Sequence, residues 1–93
     1  MFVKRIEKTH MCISGLWKLW ITAHLDSQPD LKELAQTVNG RYSENLGVVL
    51  VRLERRVIIF FASGKVTVRV NDIEEGKKLV NSMLGYNPAK VQN

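Results

Sequence analysis

Residues 46–70 read LGVVLVRLERRVIIFFASGKVTVRV and write three strands in succession: GVVLVRL, RVIIFF and KVTVRV. The first two keep branched or aromatic residues at odd and even positions alike, whereas a strand wetted on one side alternates with polar residues. The sheet is therefore expected to have two apolar faces. One carries Val49, Val51, Leu53, Ile58, Phe60, Val66, Val68 and Val70. The other carries Leu46, Val48, Leu50, Val57, Ile59 and Phe61 beside Arg52, Lys65, Thr67 and Arg69. Glu54, Arg55 and Arg56 turn the first strand tightly into the second, and Ser63 with Gly64 turns the second into the third.

Upstream, Leu16 to His24 alternates, with Trp17, Leu19, Ile21 and Ala23 on one side and Lys18, Trp20, Thr22 and His24 on the other, which reads as a strand. A helix follows. Ser27 and Gln28 offer capping, Pro29 suits the first turn, Asp30 sits at the positive end of the dipole, and Leu31, Leu34, Ala35 and Val38 form the buried stripe. Asn39 and Gly40 stop it. Arg41 to Ser43 reads as a short edge strand that turns through Glu44 and Asn45 into the strand beginning at Leu46. A second helix begins near Asn71 or Asp72, where Asn71 and Glu74 have capping-box spacing, and Ile73, Leu79, Val80, Met83 and Leu84 supply its stripe.

These elements predict an α+β domain: a curved antiparallel sheet with two helices on one face. The single domain is expected to span 1–93, with its core in 16–84 and a frayed polar tail at 86–93. Phe2 to Ile13 has no clear period and reads equally as a strand or a short helix. Either it extends the domain or it folds over the second sheet face. If it does not cover that face, the face needs a partner.

Composition narrows the partner. Of the net charge of +5, four units fall between Arg41 and Val70, where Arg41, Arg52, Arg55, Arg56, Lys65 and Arg69 face only Glu44 and Glu54. The positive excess therefore belongs to the strands and favours an anionic partner. The blander reading of the same charges is a set of solvated residues that blunt strand edges. Cys12 is the only cysteine, so an intramolecular disulfide is impossible and a reducing, cytoplasmic setting is the expectation. His10 and Cys12 share strand parity, but two ligands do not make a metal site, and neither a catalytic constellation nor a phosphate-cradling loop is present. No enzymatic activity and no cofactor are expected. No stretch approaches the roughly 18 to 20 apolar residues of a membrane span, so no membrane association is expected either.

Three stretches carry a family resemblance: DLKELA at 30–35, NGRYSENLGVVLVRL at 39–53 and IIFFASGKVTV at 58–68. Leu16 to Leu84 resembles one repeat of the TATA-box-binding protein fold, FASGKV being the most specific word. The chain is about as similar to small archaeal proteins with a single unit of this kind, some joined to an iron-sulfur cluster segment, and the short LERR hairpin fits those better. The resemblance implies a half-saddle whose concave sheet lies on the minor groove of duplex DNA, with apolar wedges between base steps.

Carried over residue by residue, the resemblance makes Phe61 one wedge and Leu46 the smaller second. It gives Ile59 and Thr67 groove contacts. Arg69, Lys18 and Trp20 stand where the family has threonine, asparagine and valine. Two base-reading positions have therefore changed, so TATA specificity does not carry over with the fold. The family uses two repeats in one chain, which implies a homodimer here, with the Leu16 to His24 strands near its interface.

The expected nucleic-acid interface comprises Lys18, Trp20, Leu46, Leu50, Arg52, Ile59, Phe61, Lys65, Thr67 and Arg69. The alternative is a protein-interaction or assembly domain that buries Phe61, Ile59 and Leu50 against itself or a larger partner, related to the accessory domains of iron-sulfur proteins.

Overall fold

The computed structural model of the chain describes residues 2–11, 18–53 and 55–85. Its elements run β1 (Val3–Met11), β2 (Leu19–Leu25), α1 (Leu31–Val38), β3 (Arg41–Ser43), β4 (Val48–Leu53), β5 (Arg56–Phe61), β6 (Lys65–Val70) and α2 (Ile73–Met83). All six strands join one sheet in the order β1-β2-β6-β5-β4-β3, and every neighbouring pair is antiparallel. The α+β class and the open antiparallel sheet with two helices are as the sequence implies. The expectations for Leu16, Trp17, Cys12 and the tail at 86–93 lie outside the described residues.

The largest difference from expectation is β1. Its described residues form a sixth strand in the plane of the sheet, beside β2, and do not fold over the second face. Two register shifts, between Val3 and Arg5 and between Ile6 and Lys8, break the two-residue period. Val3 and Ile6 both reach the core although they stand three apart, which hides the strand in the sequence. The strand is tied to its neighbours at its start: the Val3 amide donates to Asn81 Oδ1 of α2 (2.7 Å), and the Phe2 amide to Asp26 Oδ1 (3.0 Å).

Both helices pack on one face, α1 over β3 and β4, and α2 over β1, β2 and β6. Between them lies a core in which Ile21, Ala23, Val49, Ile58, Phe60, Val66, Val68, Val70 and Val80 are wholly buried. The close seating of α2 depends on Gly76, where any Cβ would collide with Ile21 Cδ1. Gly40 plays the same role at the other end, since a Cβ there would meet Val49, Val51 and the Leu50 carbonyl within 2.9 Å. Asn39, not Gly40, takes the left-handed position that ends α1.

The helix starts correct the sequence reading by one to three residues. Asp30 caps α1, accepting from the Lys32 and Glu33 amides, so Ser27 and Gln28 are not its cap and Pro29 lies outside it, buried. Asp72 caps α2 by accepting from the Glu75 amide (2.8 Å), while Glu75 reaches back to the Asn71 amide (3.1 Å). The capping box is therefore Asp72 with Glu75, not Asn71 with Glu74. Ile73, expected in the buried stripe, is exposed in the first turn. Leu53, expected on the covered face, is exposed because it pairs with Arg56 in the last rung of the β4–β5 hairpin.

Arg56 is the clearest change of role. Its side chain is only 2% exposed, on the helix side of the sheet, and its Nη1 donates to the Arg69 carbonyl (2.9 Å) and to Glu75 Oε1 (2.7 Å). It is neither a solvated edge charge nor part of a phosphate footprint. It clamps the start of β5 to the start of α2.

Candidate nucleic-acid interface

The face opposite the helices is covered by no element among the described residues. Its layout follows from the register. A middle row crosses five strands, Thr22 to Thr67 to Ile59 to Leu50 to Arg41, each residue paired with the next. One flanking row holds the pair His24 and Lys65, then Phe61, Val48 and Ser43. The other flanking row holds the pair Trp20 and Arg69, then Val57 paired with Arg52. The face thus has two halves: aromatic, hydroxylated and basic residues on β2 and β6, and mainly aliphatic ones on β5 and β4.

Eight of the ten expected interface residues lie in these rows: Trp20, Leu50, Arg52, Ile59, Phe61, Lys65, Thr67 and Arg69. Lys18 is exposed in the bend just before β2. Leu46 is not in a strand at all; it sits in the β3–β4 turn and is 72% exposed. Val48, expected to be open, is buried between its partners Ser43 and Phe61 without joining the main core.

Two depressions divide the face. The first, of about 640 Å³, is lined by Glu7, Trp20, Thr22, Phe61, Ser63, Lys65 and Thr67. The second, of about 600 Å³, lies at the far end against Asn39, Gly40, Arg41, Leu50 and Arg52. The structure therefore brings Trp20, Phe61, Lys65 and Thr67 together and sets Leu50 and Arg52 apart from them. Lys18 and Leu46 line neither depression.

Trp20 and Arg69 face each other in register and form one unit. The Arg69 guanidinium stands 5.0 Å from the centre of the Trp20 ring, a cation–π stack across β2 and β6. In the opposite flanking row His24 Nε2 lies against Glu7 Oε2, which brings one acidic group to an otherwise basic surface. In the middle row Thr67 Oγ1 is buried and has no hydrogen-bond partner among the described residues. Such a hydroxyl costs stability unless something satisfies it.

Sequence reasoning placed Thr22 on this face without naming it as a site residue, and it missed Glu7 and Ser63. Glu7 was not legible because the bulged β1 concealed its own register. Among the described residues no group of three or more histidine, cysteine or acidic side chains is arranged to hold a metal ion, and no helix is long and apolar enough to cross a membrane.

The chain matches no family model, no curated protein and no solved structure. The TATA-binding resemblance rests on the quoted residues alone.

One consequence of the topology bears on dimerisation. The β2 strand, expected near a homodimer interface, is paired with β1 along the edge away from β6, so its backbone is not free for edge-to-edge pairing with a second copy. The edge strands of the described sheet are β1 and β3.

Proposed function

We propose that the chain binds nucleic acid on the open face of its sheet, as a TATA-binding-protein-like half-saddle with altered base contacts. The observation that carries this reading is an uncovered face on which Arg41, Arg52, Lys65 and Arg69 surround Trp20, Ile59, Leu50 and Phe61. Cations on such a surface neutralise phosphates and set affinity, while flat apolar groups between them meet bases. If the working form is a homodimer joined edge to edge, its copies meet through β1 or β3, because the β2 edge is taken.

The test is a titration of the purified protein with fluorescent A·T-rich and G·C-rich duplexes and a single strand, at about 50 and 200 mM salt, a range over which a multi-phosphate contact loses orders of magnitude. Salt-steep binding weakened by Arg69→Glu supports the reading. Absence of binding to every probe at the lower salt overturns it.

A second reading, protein assembly, has its own observation: Leu50, Ile59, Phe61 and Val57 form a contiguous apolar half-face on β4 and β5. It expects a stable oligomer in solution that Phe61→Asp dissociates.

A further inference from the structure

We infer that the depression between Trp20 and Phe61 is a binding track for unpaired bases, so that the preferred nucleic acid is single-stranded. This rests on the nucleic-acid reading and narrows it.

The two rings stand two strands apart and two rows apart on the open face. With strands spaced about 4.8 Å and alternate residues about 6.7 Å along a strand, their Cα atoms are separated by roughly 16 Å on a diagonal. Aromatic residues on an open antiparallel sheet serve as platforms for splayed bases. A duplex opens its base faces to inserted rings only at steps that are unstacked, at a cost of about a few kcal/mol each. An unpaired strand offers every face, and stacking on aromatics tolerates any base.

The surroundings of the rings agree with this occupant. Lys65 lines the depression and Arg69 stands beside it on β6, paired with Trp20, so two cations are available to phosphates of a strand lying between the rings. Arg69 is already stacked on Trp20, and a guanidinium plane extends an aromatic platform and keeps positive charge beside the base. Thr67 lies in the middle row between the two platforms and lines the depression, with its Oγ1 buried away from the open surface. Glu7 on the rim disfavours a second, closely applied phosphate strand. The face is thus furnished for bases and one backbone, not for the two backbones of a duplex.

The deciding experiment is fluorescence anisotropy at about 50 mM salt with three labelled probes of equal length: a mixed-sequence single strand, its fully abasic counterpart and its duplex. The expected result is binding of the single strand at least tenfold tighter than either of the others. Phe61→Ala and Trp20→Ala should each weaken it by about 5- to 150-fold, and Phe61→Trp should restore the platform. Comparison of the intact and abasic strands uses the unmutated protein, so it decides the matter even if a variant folds poorly. Equal affinity for the intact and abasic strands overturns the inference, because phosphates alone would then account for binding. A duplex bound as tightly as the single strand also overturns it and leaves the broader nucleic-acid reading standing. No binding to any of the three overturns both.

Discussion

The two faces of the sheet are written by the same strands and differ in almost everything else. On β5, Ile58 and Phe60 point to the helices and are completely buried, while Ile59 and Phe61, one residue on, point away and are only partly covered by their own sheet neighbours. The helix side is nearly all aliphatic, with one deliberate charge, Arg56, held by Glu75 and a backbone carbonyl. The open side mixes aromatic rings, hydroxyls and cations and leaves a buried hydroxyl unsatisfied. A face selected only for stability would resemble the first.

The sharpest test of the contrast is a pair of neighbours. Phe60→Ala should cost about 3–5 kcal/mol, the transfer term plus an unfilled cavity beneath two helices. Phe61→Ala should cost about 1 kcal/mol, because a partly exposed ring leaves no enclosed void. Denaturant unfolding of both variants measures the difference. Equal losses would mean that the open face is covered in solution.

The next largest effect lies at the clamp between β5 and α2. Glu75→Ala should destabilise by about 2–4 kcal/mol, since it removes the carboxylate from a guanidinium held out of water and also breaks the α2 capping box. Arg56→Met should cost less, about 1–2 kcal/mol, because the Glu75 side chain is 29% exposed and water can take the place of its partner. The reverse order in thermal or denaturant unfolding would show that the charge of Arg56, and not its burial, governs this junction.

A smaller effect separates the contribution of the open face to stability from its proposed part in binding. Arg69→Ala should lower stability by only about 0.5–1 kcal/mol through loss of the stack on Trp20. It should also flatten the logarithmic salt dependence of nucleic-acid binding by about one unit. Arg56→Met, on the other face, should leave that slope unchanged.

How much of this was legible depended on where local pattern and tertiary structure agree. The strands from Val48 to Val70 and the apolar stripe of α1 were readable because unbroken periods and hairpin residues point to one answer. The paired faces followed from the same periods, and eight of the ten expected site residues do share the open face. β1 was not readable, because two bulges scramble its period and place Val3 and Ile6 on one side. With β1 went Glu7, and with it the occupied edge of β2. Arg56 was misassigned for a related reason: a hairpin arginine looks solvated until α2, distant in sequence, brings Glu75 over it. The Trp20–Arg69 stack required the β2–β6 register, which joins strands some fifty residues apart.

The smallest expected effect carries the opposite sign. Thr67 sits in the centre of the open face with its hydroxyl buried and unpartnered, flanked by Thr22 and Ile59. Thr67→Val keeps the β-branched shape that a strand favours and removes an oxygen that folding strips of water without return. The variant should therefore be more stable by about 0.5–1 kcal/mol. Most substitutions of buried residues destabilise, so a gain here would identify a position where stability has been given up. The same variant should bind single-stranded nucleic acid with unchanged affinity, because the removed oxygen is closed off from any ligand on the face. Unfolding and binding measured on one preparation decide it. A gain in stability with weakened affinity would instead tie the hydroxyl to the ligand.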